Sequence, residues 1–153
     1  MTPRQAGPMS NRAEAGLTEN ASNEEVEAMA FKVLIVDDSK LARMSLARLL
    51  DALRPEWVRI EAANATEAIE RHGQESIDLV LLDFNMPGRD GLALAADLRA
   101  LNPTLPMALI SANSQDEIVA RTRALGAEFL PKPLTEAILA PFLTTLEPLP
   151  PAA

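Results

Sequence analysis

The stretch IDLVLLDFNMPGRDG, residues 77–91, joins an unbroken apolar run to an aspartate. Branched apolar residues without polar alternation are typical of a strand that is buried on both faces of a parallel sheet. Such a strand offers an ionised carboxylate no solvation, so Asp83 must lie at the end of the strand or be strongly stabilised there. The stabilising groups must come from other parts of the chain.

Short strand-like runs that contain apolar residues occur at four other places, and each is followed by a helical pattern. These runs cover residues 31–36, 58–62, 107–110 and 128–130, and the stretch above contributes residues 77–82. Apolar residues spaced three and four apart follow every run, which is typical of amphipathic helices. Five strand–helix units in about 115 residues predict an α/β fold, a five-stranded parallel sheet with helices on both faces.

Residue types at the helix ends predict where the helices begin and end. Asn64 is a candidate N-cap of the second helix, and Asn102-Pro103 should end the third. A capping box from Ser114 to Glu117 predicts the start of the fourth helix, and Gly126 its end. Pro141 lies within the fifth predicted helix, which should be kinked or irregular there. The residues predicted to face inward on the third and fourth helices are Leu94, Leu98, Leu101, Ile118, Thr122 and Leu125.

The residues outside these units form two tails. Residues 1–30 contain few large apolar side chains and should be a flexible arm, with a short helix at 23–30 after the candidate cap Ser22. Residues 31–146 should form one domain. Residues 147–153, EPLPPAA, should be an extended proline-rich tail.

Composition argues against several classes of function. The net charge is −8, from 22 acidic and 14 basic residues, and no Lys/Arg cluster could follow a phosphate backbone, so we expect no nucleic-acid partner. The chain has no cysteine, which excludes disulfides and thiolate metal sites and is compatible with the cytoplasm. No apolar run approaches the roughly 18 residues of a membrane span, so we expect a soluble, cytoplasmic protein without membrane insertion.

Polar residues follow four of the five predicted strands. Because the carboxyl ends of parallel strands share one edge of the sheet, where ligands bind in open sheets, their side chains should lie close together. In chain order these residues are Asp37, Asp38, Asp83, Ser111 and Lys132. The edge therefore combines three carboxylates with a hydroxyl and an ammonium group.

This combination predicts a phosphoryl-transfer site that uses a divalent metal. Three carboxylates held together repel each other and require a cation or protons. Oxygen ligands without His or Cys suit Mg²⁺, which commonly binds one or two carboxylates and a phosphate. Lys132 can oppose the charge of phosphoryl oxygens, and Ser111 can donate a hydrogen bond to one of them. Asp83 is the best-placed nucleophile, and its product would be an acyl phosphate.

Four motifs carry a family resemblance. VDDS at 36–39, LLDFNMPGRDG at 81–91, SA at 111–112 and GAEFLPKP at 126–133 closely resemble the receiver domain of two-component response regulators. The match spans about residues 31–146, and VDDSKLAR most resembles the stand-alone, single-domain members of the chemotaxis type. The resemblance implies a (βα)5 flavodoxin-like fold with the strand order 2-1-3-4-5.

The resemblance also implies how the acidic residues act. Asp83 would accept a phosphoryl group from a phosphohistidine on a histidine kinase or a histidine phosphotransfer protein. Asp38 and Asp83 would ligate Mg²⁺ through their carboxylates and Asn85 through its main-chain carbonyl. Asp37 would act mainly through a metal-bound water.

Further residues match the family's switch. Lys132 and Ser111 would hold the phosphoryl oxygens, and Phe129 would turn inward when Ser111 moves toward the phosphate. Ser111 replaces the more common threonine but keeps its hydroxyl, whereas Phe129 lacks the hydroxyl of a tyrosine. Asn85 and Asn113 match positions that influence hydrolysis of the acyl phosphate. The peptide bond from Lys132 to Pro133 matches one that is often cis.

The fourth and fifth strand–helix units usually form the output surface in this family, so we expect an unknown downstream protein to bind there. Pro131 and Pro141 are unusual in these units. Adaptation of this face to a particular partner and neutral variation both account for them, and both interpretations stay open.

Three functions are compatible with the sequence. The leading one is a stand-alone receiver without an output domain, which catalyses only its own phosphorylation and dephosphorylation and acts through partners. A phosphatase of the haloacid dehalogenase type also uses a nucleophilic aspartate and Mg²⁺. It needs an acid two residues later, where this chain has Asn85, which cannot protonate a leaving group. A scaffold with a vestigial acidic site would leave the same sequence.

Overall fold

Five strands alternate with five helices along residues 30–146, the part of the chain that this computed structural model describes. The strands are β1 (Lys32–Val36), β2 (Val58–Ala62), β3 (Leu79–Asp83), β4 (Met107–Ser111) and β5 (Glu128–Pro131). The helices are α1 (Lys40–Leu53), α2 (Ala65–Gln74), α3 (Gly91–Leu101), α4 (Asp116–Ala124) and α5 (Glu136–Leu146). The predicted arm at 1–30, except Ala30, its short helix at 23–30 and the predicted tail at 147–153 lie outside the described residues.

All neighbouring strands of the sheet are parallel, in the order β2-β1-β3-β4-β5. The strands β3 and β4 are buried along their whole length, which explains why their sequences lack polar alternation. The edge strand β2 instead alternates partly buried with exposed residues before Ala62. The predicted fold class and strand order are confirmed.

The two faces of the sheet carry separate cores, because successive side chains of a strand point to opposite sides. On one face, Leu34 and Leu82 belong to a buried cluster that includes residues of α2, α3 and α4. On the other face, Ile35 and Leu81 belong to a cluster with residues of α1 and α5. With both faces covered by helices, the polar residues that follow the strands are left at the carboxyl edge of the sheet.

Several predicted helix ends are confirmed. Asn64 Oδ1 accepts a hydrogen bond from Glu67 N at 2.9 Å, as expected of an N-cap. Asn102 is the C-cap residue of α3. Gly126, after α4, has a φ of 73°, a left-handed conformation that glycine adopts without strain.

Within residues 30–146, no helix has the length and apolar character needed to pass through a lipid bilayer.

The predicted capping box at Ser114 is wrong. α4 begins at Asp116, and its N-cap residue, Gln115, makes no side-chain capping bond. The amide of Gln115 instead donates to Asn113 Oδ1 at 3.1 Å. An Asn side chain two residues earlier therefore holds the loop before α4, which a pattern based on Ser and Glu spacing does not detect.

The inward stripe of α3 is shorter than predicted. Leu94 and Leu98 are fully buried, but Leu101 is 58% exposed. The helix ends at Leu101, and the turn that follows brings Leu105 into the core, where it is 1% exposed. In the next helix, Ile118 and Thr122 are buried and Leu125 is partly buried, as predicted.

Candidate functional site

Three carboxylates meet at the carboxyl edge of the sheet. Asp37 and Asp38 directly follow β1, and Asp83 is the last residue of the neighbouring strand β3. One carboxylate oxygen from each residue lies within 4.8 Å of those from the other two. Asp83 is buried, Asp37 is partly buried and Asp38 is exposed, so the cluster runs from the end of the core into solvent.

Lys132 supplies the charge that compensates Asp83. Its Nζ lies 2.6 Å from Asp83 Oδ1, and the exposed fractions of the two side chains are 37% and 6%. Among the described residues, Asp83 Oδ1 accepts no hydrogen bond of regular geometry, so the ion pair with Lys132 compensates its negative charge. The apolar strand β3 can therefore end at a buried aspartate because an ammonium group follows β5.

Asp37 is held by its own loop and carries a shifted pKa. Its Oδ1 accepts a hydrogen bond from Ser39 N at 2.9 Å. Burial raises the pKa of the Asp37 carboxyl above its usual range, and the charges of Asp83 and Asp38 act in the same direction. The Ser39 amide and the Lys132 ammonium oppose this rise in pKa. A cation placed among the three carboxylates would relieve the same repulsion.

Ser111 ends β4 at the same edge and is fully buried. Its Oγ accepts a hydrogen bond from Asn113 N at 2.9 Å, and its carbonyl accepts one from Lys132 N at 3.1 Å. The second bond continues the β4–β5 pairing one residue past Pro131, the last residue of β5. Ser111 therefore connects the loop before α4 to the segment that carries the site lysine. The peptide bond that follows this lysine, to Pro133, is cis.

The remaining predicted site residues occupy separate segments. Phe129 lies on β5, paired in register with Leu109, and packs partly buried against the core cluster that includes residues of α4. Asn113 is partly buried in the loop before α4, and Asn85 is exposed in the loop after β3. The described contacts of the site thus centre on Asp37, Asp38, Asp83 and Lys132.

Gly91 shapes the site although the sequence patterns did not single it out. Its amide donates to the Phe84 carbonyl at 2.9 Å and closes the loop between β3 and α3. A Cβ at this position would lie 2.7 Å from Leu109 Cδ1 and 2.9 Å from Phe84 Cα, distances too short for any side chain. The sequence signal for this contact is slight: a glycine directly after the N-cap Asp90.

A pocket of about 530 Å³ adjoins the carboxylates. Asp37, Asp83 and Lys132 contribute to its lining, together with α1 and the segment after β5. The apolar side chains that line it are Val36, Ala42, Leu46, Leu49, Ile110, Ala112, Pro133 and Leu134. The site is therefore open to a reacting group from outside while Asp83 itself stays buried.

The donor set fits a hard divalent cation. All three side chains offer carboxylate oxygens, and within the described residues neither His nor Cys belongs to the cluster. Mg²⁺ prefers such oxygen ligands and usually keeps several waters, which the exposed side of the cluster at Asp38 allows. Mg²⁺ is thus compatible with the chemistry and the exposure of this site.

Comparison with curated proteins gives relatives that match the domain. The response regulator receiver domain family matches residues 33–142. The transcriptional regulatory protein PdtaR of Mycobacterium tuberculosis is 38% identical over 117 residues, which are 74% of this chain and 55% of PdtaR. The glycerol metabolism activator of Pseudomonas putida is 35% identical over 98 residues, 63% of this chain and 44% of the activator. The chain thus spans about half the length of these curated relatives.

Solved structures show the same fold. The chemotaxis protein CheY4 of Vibrio cholerae is 25% identical, with a TM-score of 0.70 over 77% of this chain and 99% of CheY4. A chain of the CheX–CheY–BeF3–Mg²⁺ complex from Borrelia burgdorferi is 28% identical, with a TM-score of 0.70 over 76% of this chain and 88% of its own length. The family match, the strand order and the acidic edge agree, and the chain belongs to the response regulator receiver domain family, CheY-like signalling modules of two-component systems.

Proposed function

We propose that this chain accepts a phosphoryl group on Asp83 from a phosphohistidine, with Mg²⁺ bound at the acidic cluster. The observation that carries the proposal is the placement of one buried carboxylate, Asp83, against the ammonium of Lys132 and within 4.8 Å of Asp37 and Asp38. The donor is a histidine kinase or a histidine phosphotransfer protein, the partners that receiver domains use.

In the transfer step, an oxygen of Asp83 attacks the phosphorus atom of the phosphohistidine. A bond between this oxygen and phosphorus forms while the phosphorus–nitrogen bond breaks, and its electron pair stays on the ring nitrogen. The imidazole leaves in its neutral form because its second nitrogen carries a proton. The product is an acyl phosphate, and the pocket beside Asp83 provides space for the incoming group.

The residues around Asp83 stabilise the charge of the transferred group. Asp38 and Asp83 would hold Mg²⁺ through carboxylates, Asn85 through its main-chain carbonyl, and Asp37 mainly through a bound water. When bound, Mg²⁺ neutralises negative charge on the phosphoryl oxygens. Lys132 already contacts the acceptor carboxylate and is therefore within reach of an oxygen of the phosphoryl group attached to it.

Ser111 would couple phosphorylation to a conformational change at the protein surface. Its hydroxyl would bind a phosphoryl oxygen, and its movement would exchange the present hydrogen bond from Asn113 N for that contact. Phe129, which is only partly buried, would then turn further inward. The face formed by α4, β5 and α5 would change with it and bind a downstream protein. Asn85 and Asn113 would tune the rate at which the acyl phosphate hydrolyses.

This function places the chain in the cytoplasm, without direct contact to nucleic acid. The acidic balance of the chain, 22 acidic against 14 basic residues, supports a protein partner over a phosphate backbone. A phosphatase of the dehalogenase type needs an acid at the position of Asn85, which is an exposed amide in this chain. Asn85 cannot protonate a leaving group, so this position does not support hydrolysis of small-molecule phosphates.

The experiment is intact-mass analysis after incubation with a small acyl phosphate, with and without Mg²⁺. We expect one labile phosphoryl group on the wild-type protein in the presence of Mg²⁺ and none on Asp83→Asn. Asp97→Asn, at a partly buried position on α3 outside the acidic cluster, is the matched control and should be phosphorylated like the wild type. A folded wild-type protein that binds Mg²⁺ yet stays unmodified would favour a scaffold with a vestigial site.

A further inference from the structure

Arg43, in the first turns of α1, reaches the main chain of the acidic loop. Its Nη1 donates to the Asp37 carbonyl oxygen at 2.7 Å, and its Nε donates to Glu61 Oε1 at the same distance. The side chain of Arg43 is 14% exposed and that of Glu61 44% exposed. A single guanidinium group thus joins α1, the loop after β1 and the edge strand β2.

The contact from Arg43 completes a set of hydrogen bonds on Asp37. The amide of Asp37 donates to the Ala62 carbonyl at 3.1 Å, and its Oδ1 accepts from Ser39 N at 2.9 Å. With the carbonyl oxygen bound by Arg43, the amide, the carbonyl and the side chain of Asp37 all have partners. Of these partners only Arg43 uses a side chain, so a substitution can remove its contact and leave the other two.

We infer that Arg43 is a positioning residue for the metal site, which holds the Asp37–Asp38 loop in the conformation that binds a divalent cation. The inference rests on the proposed Mg²⁺ site. A loop that is ordered before the metal binds loses less conformational freedom on binding, and therefore binds more tightly. Groups that orient metal ligands from outside contribute to affinity in the same way.

The charge of Arg43 has the opposite effect on metal affinity. A cation near the cluster repels Mg²⁺, so a purely electrostatic role predicts tighter Mg²⁺ binding once the guanidinium is removed. A positioning role predicts weaker binding. The direction of the change in Kd therefore separates the two roles without reference to phosphorylation.

The test is titration calorimetry of Mg²⁺ with wild type, Arg43→Gln and Arg48→Gln. Arg48 lies on the same helix and is exposed, so its substitution removes the same charge away from the loop. We expect Kd for Mg²⁺ to rise about tenfold in Arg43→Gln and to stay near the wild-type value in Arg48→Gln. Arg43→Lys keeps the charge but not the two-nitrogen fork, and should recover only part of the affinity.

A second readout needs no metal. Hydrogen exchange in EDTA should be faster at the amides of Asp37 and Ser39 in Arg43→Gln than in the wild type, with exchange in β3 and β4 unchanged. Glu61→Gln should weaken Mg²⁺ binding less, and the double variant should bind no more weakly than Arg43→Gln alone, because both residues act through one contact.

Equal or tighter Mg²⁺ binding by a folded Arg43→Gln protein overturns the inference and leaves the proposed metal site intact. Failure of the wild-type protein to bind Mg²⁺ overturns the metal site, and the inference with it. If Arg43→Gln does not fold, Arg43→Lys decides the question, since wild-type affinity and wild-type exchange in that variant exclude a role for the guanidinium fork.

Discussion

Lys132 Nζ contacts Asp83 Oδ1 at 2.6 Å, although Asp83 ends β3 and Lys132 follows β5, two strands that do not pair with each other. β4 lies between β3 and β5, and the segment after β5 reaches across the end of β4 to the end of β3. The contact gives the buried aspartate its only charge partner among the described ion pairs. It also brings a phosphate-binding cation to the acceptor oxygen, so the same pair serves stability and reactivity.

Removal of this ammonium should destabilise the fold. Lys132→Met leaves Asp83 as an uncompensated buried charge beside two other carboxylates, and we expect a loss of about 1–2 kcal/mol in the free energy of unfolding at neutral pH. The value is below that of a fully buried pair because the Lys132 side chain is 37% exposed. Urea denaturation without metal measures it. The double variant Lys132→Met/Asp83→Asn should recover part of the loss, and an equal loss in both variants would contradict the charge explanation.

The raised pKa of Asp37 predicts that Asp37→Asn, which carries a neutral analogue of the side chain, is more stable than the wild type by an amount that depends on pH. Burial is the main cause of the rise, so the folded state binds this proton more tightly than the unfolded state does. Ionised Asp37 therefore lowers stability above its folded pKa, and this loss disappears as the pH falls below the unfolded value of about 3.9. In EDTA, Asp37→Asn should be more stable than the wild type at neutral pH. Urea midpoints measured from about pH 7 down to about pH 4 should converge, and a gain that does not change with pH would exclude this cause.

Gly91 and Gly73 should respond oppositely to alanine. At Gly91 an added Cβ would meet Leu109 and Phe84, so Gly91→Ala should cost about 3 kcal/mol through displacement of the loop after β3. At Gly73, inside α2, an added Cβ meets nothing within 4 Å. Gly73→Ala should stabilise the protein by about 0.5–1 kcal/mol, because alanine has the higher helix propensity. Thermal and urea unfolding of both variants test this pair, and similar losses at both positions would show that the close contact at Gly91 is not decisive.

Mg²⁺ should stabilise the folded protein by mass action. At a concentration a hundred times its Kd, it should add about 2.7 kcal/mol to the free energy of unfolding. Asp38→Asn, which removes an exposed carboxylate of the cluster, should largely abolish the effect. The measurement is the melting temperature as a function of Mg²⁺ concentration. An equal upward shift in the wild type and in Asp38→Asn would indicate a nonspecific ionic effect.

Local patterns predicted most of the fold because its signals are local. Unbroken apolar runs mark β3 and β4, which are buried on both faces, and helical spacing marks the covering helices. The wrong predictions concern loops and ends. The Ser114 capping box failed because the amide of Gln115 bonds to Asn113, and Leu101 is exposed because α3 ends there. Both outcomes depend on the conformation of the chain at the ends of helices, which the periodicity of apolar residues does not describe.

The sequence by itself determined the elements and the residue types of the site, because each of Asp37, Asp38, Asp83, Ser111 and Lys132 directly follows or ends an apolar strand. Parallel strands then place these residues at one edge whatever the details of packing. Only the tertiary structure decided which carboxylate is buried, which one Lys132 contacts, and that Arg43 and Gly91 touch the site. The contact of Lys132 with Asp83 joins segments far apart in the chain. The distances in all these contacts depend on the packing of helices against the sheet, for which a single sequence carries no local signal.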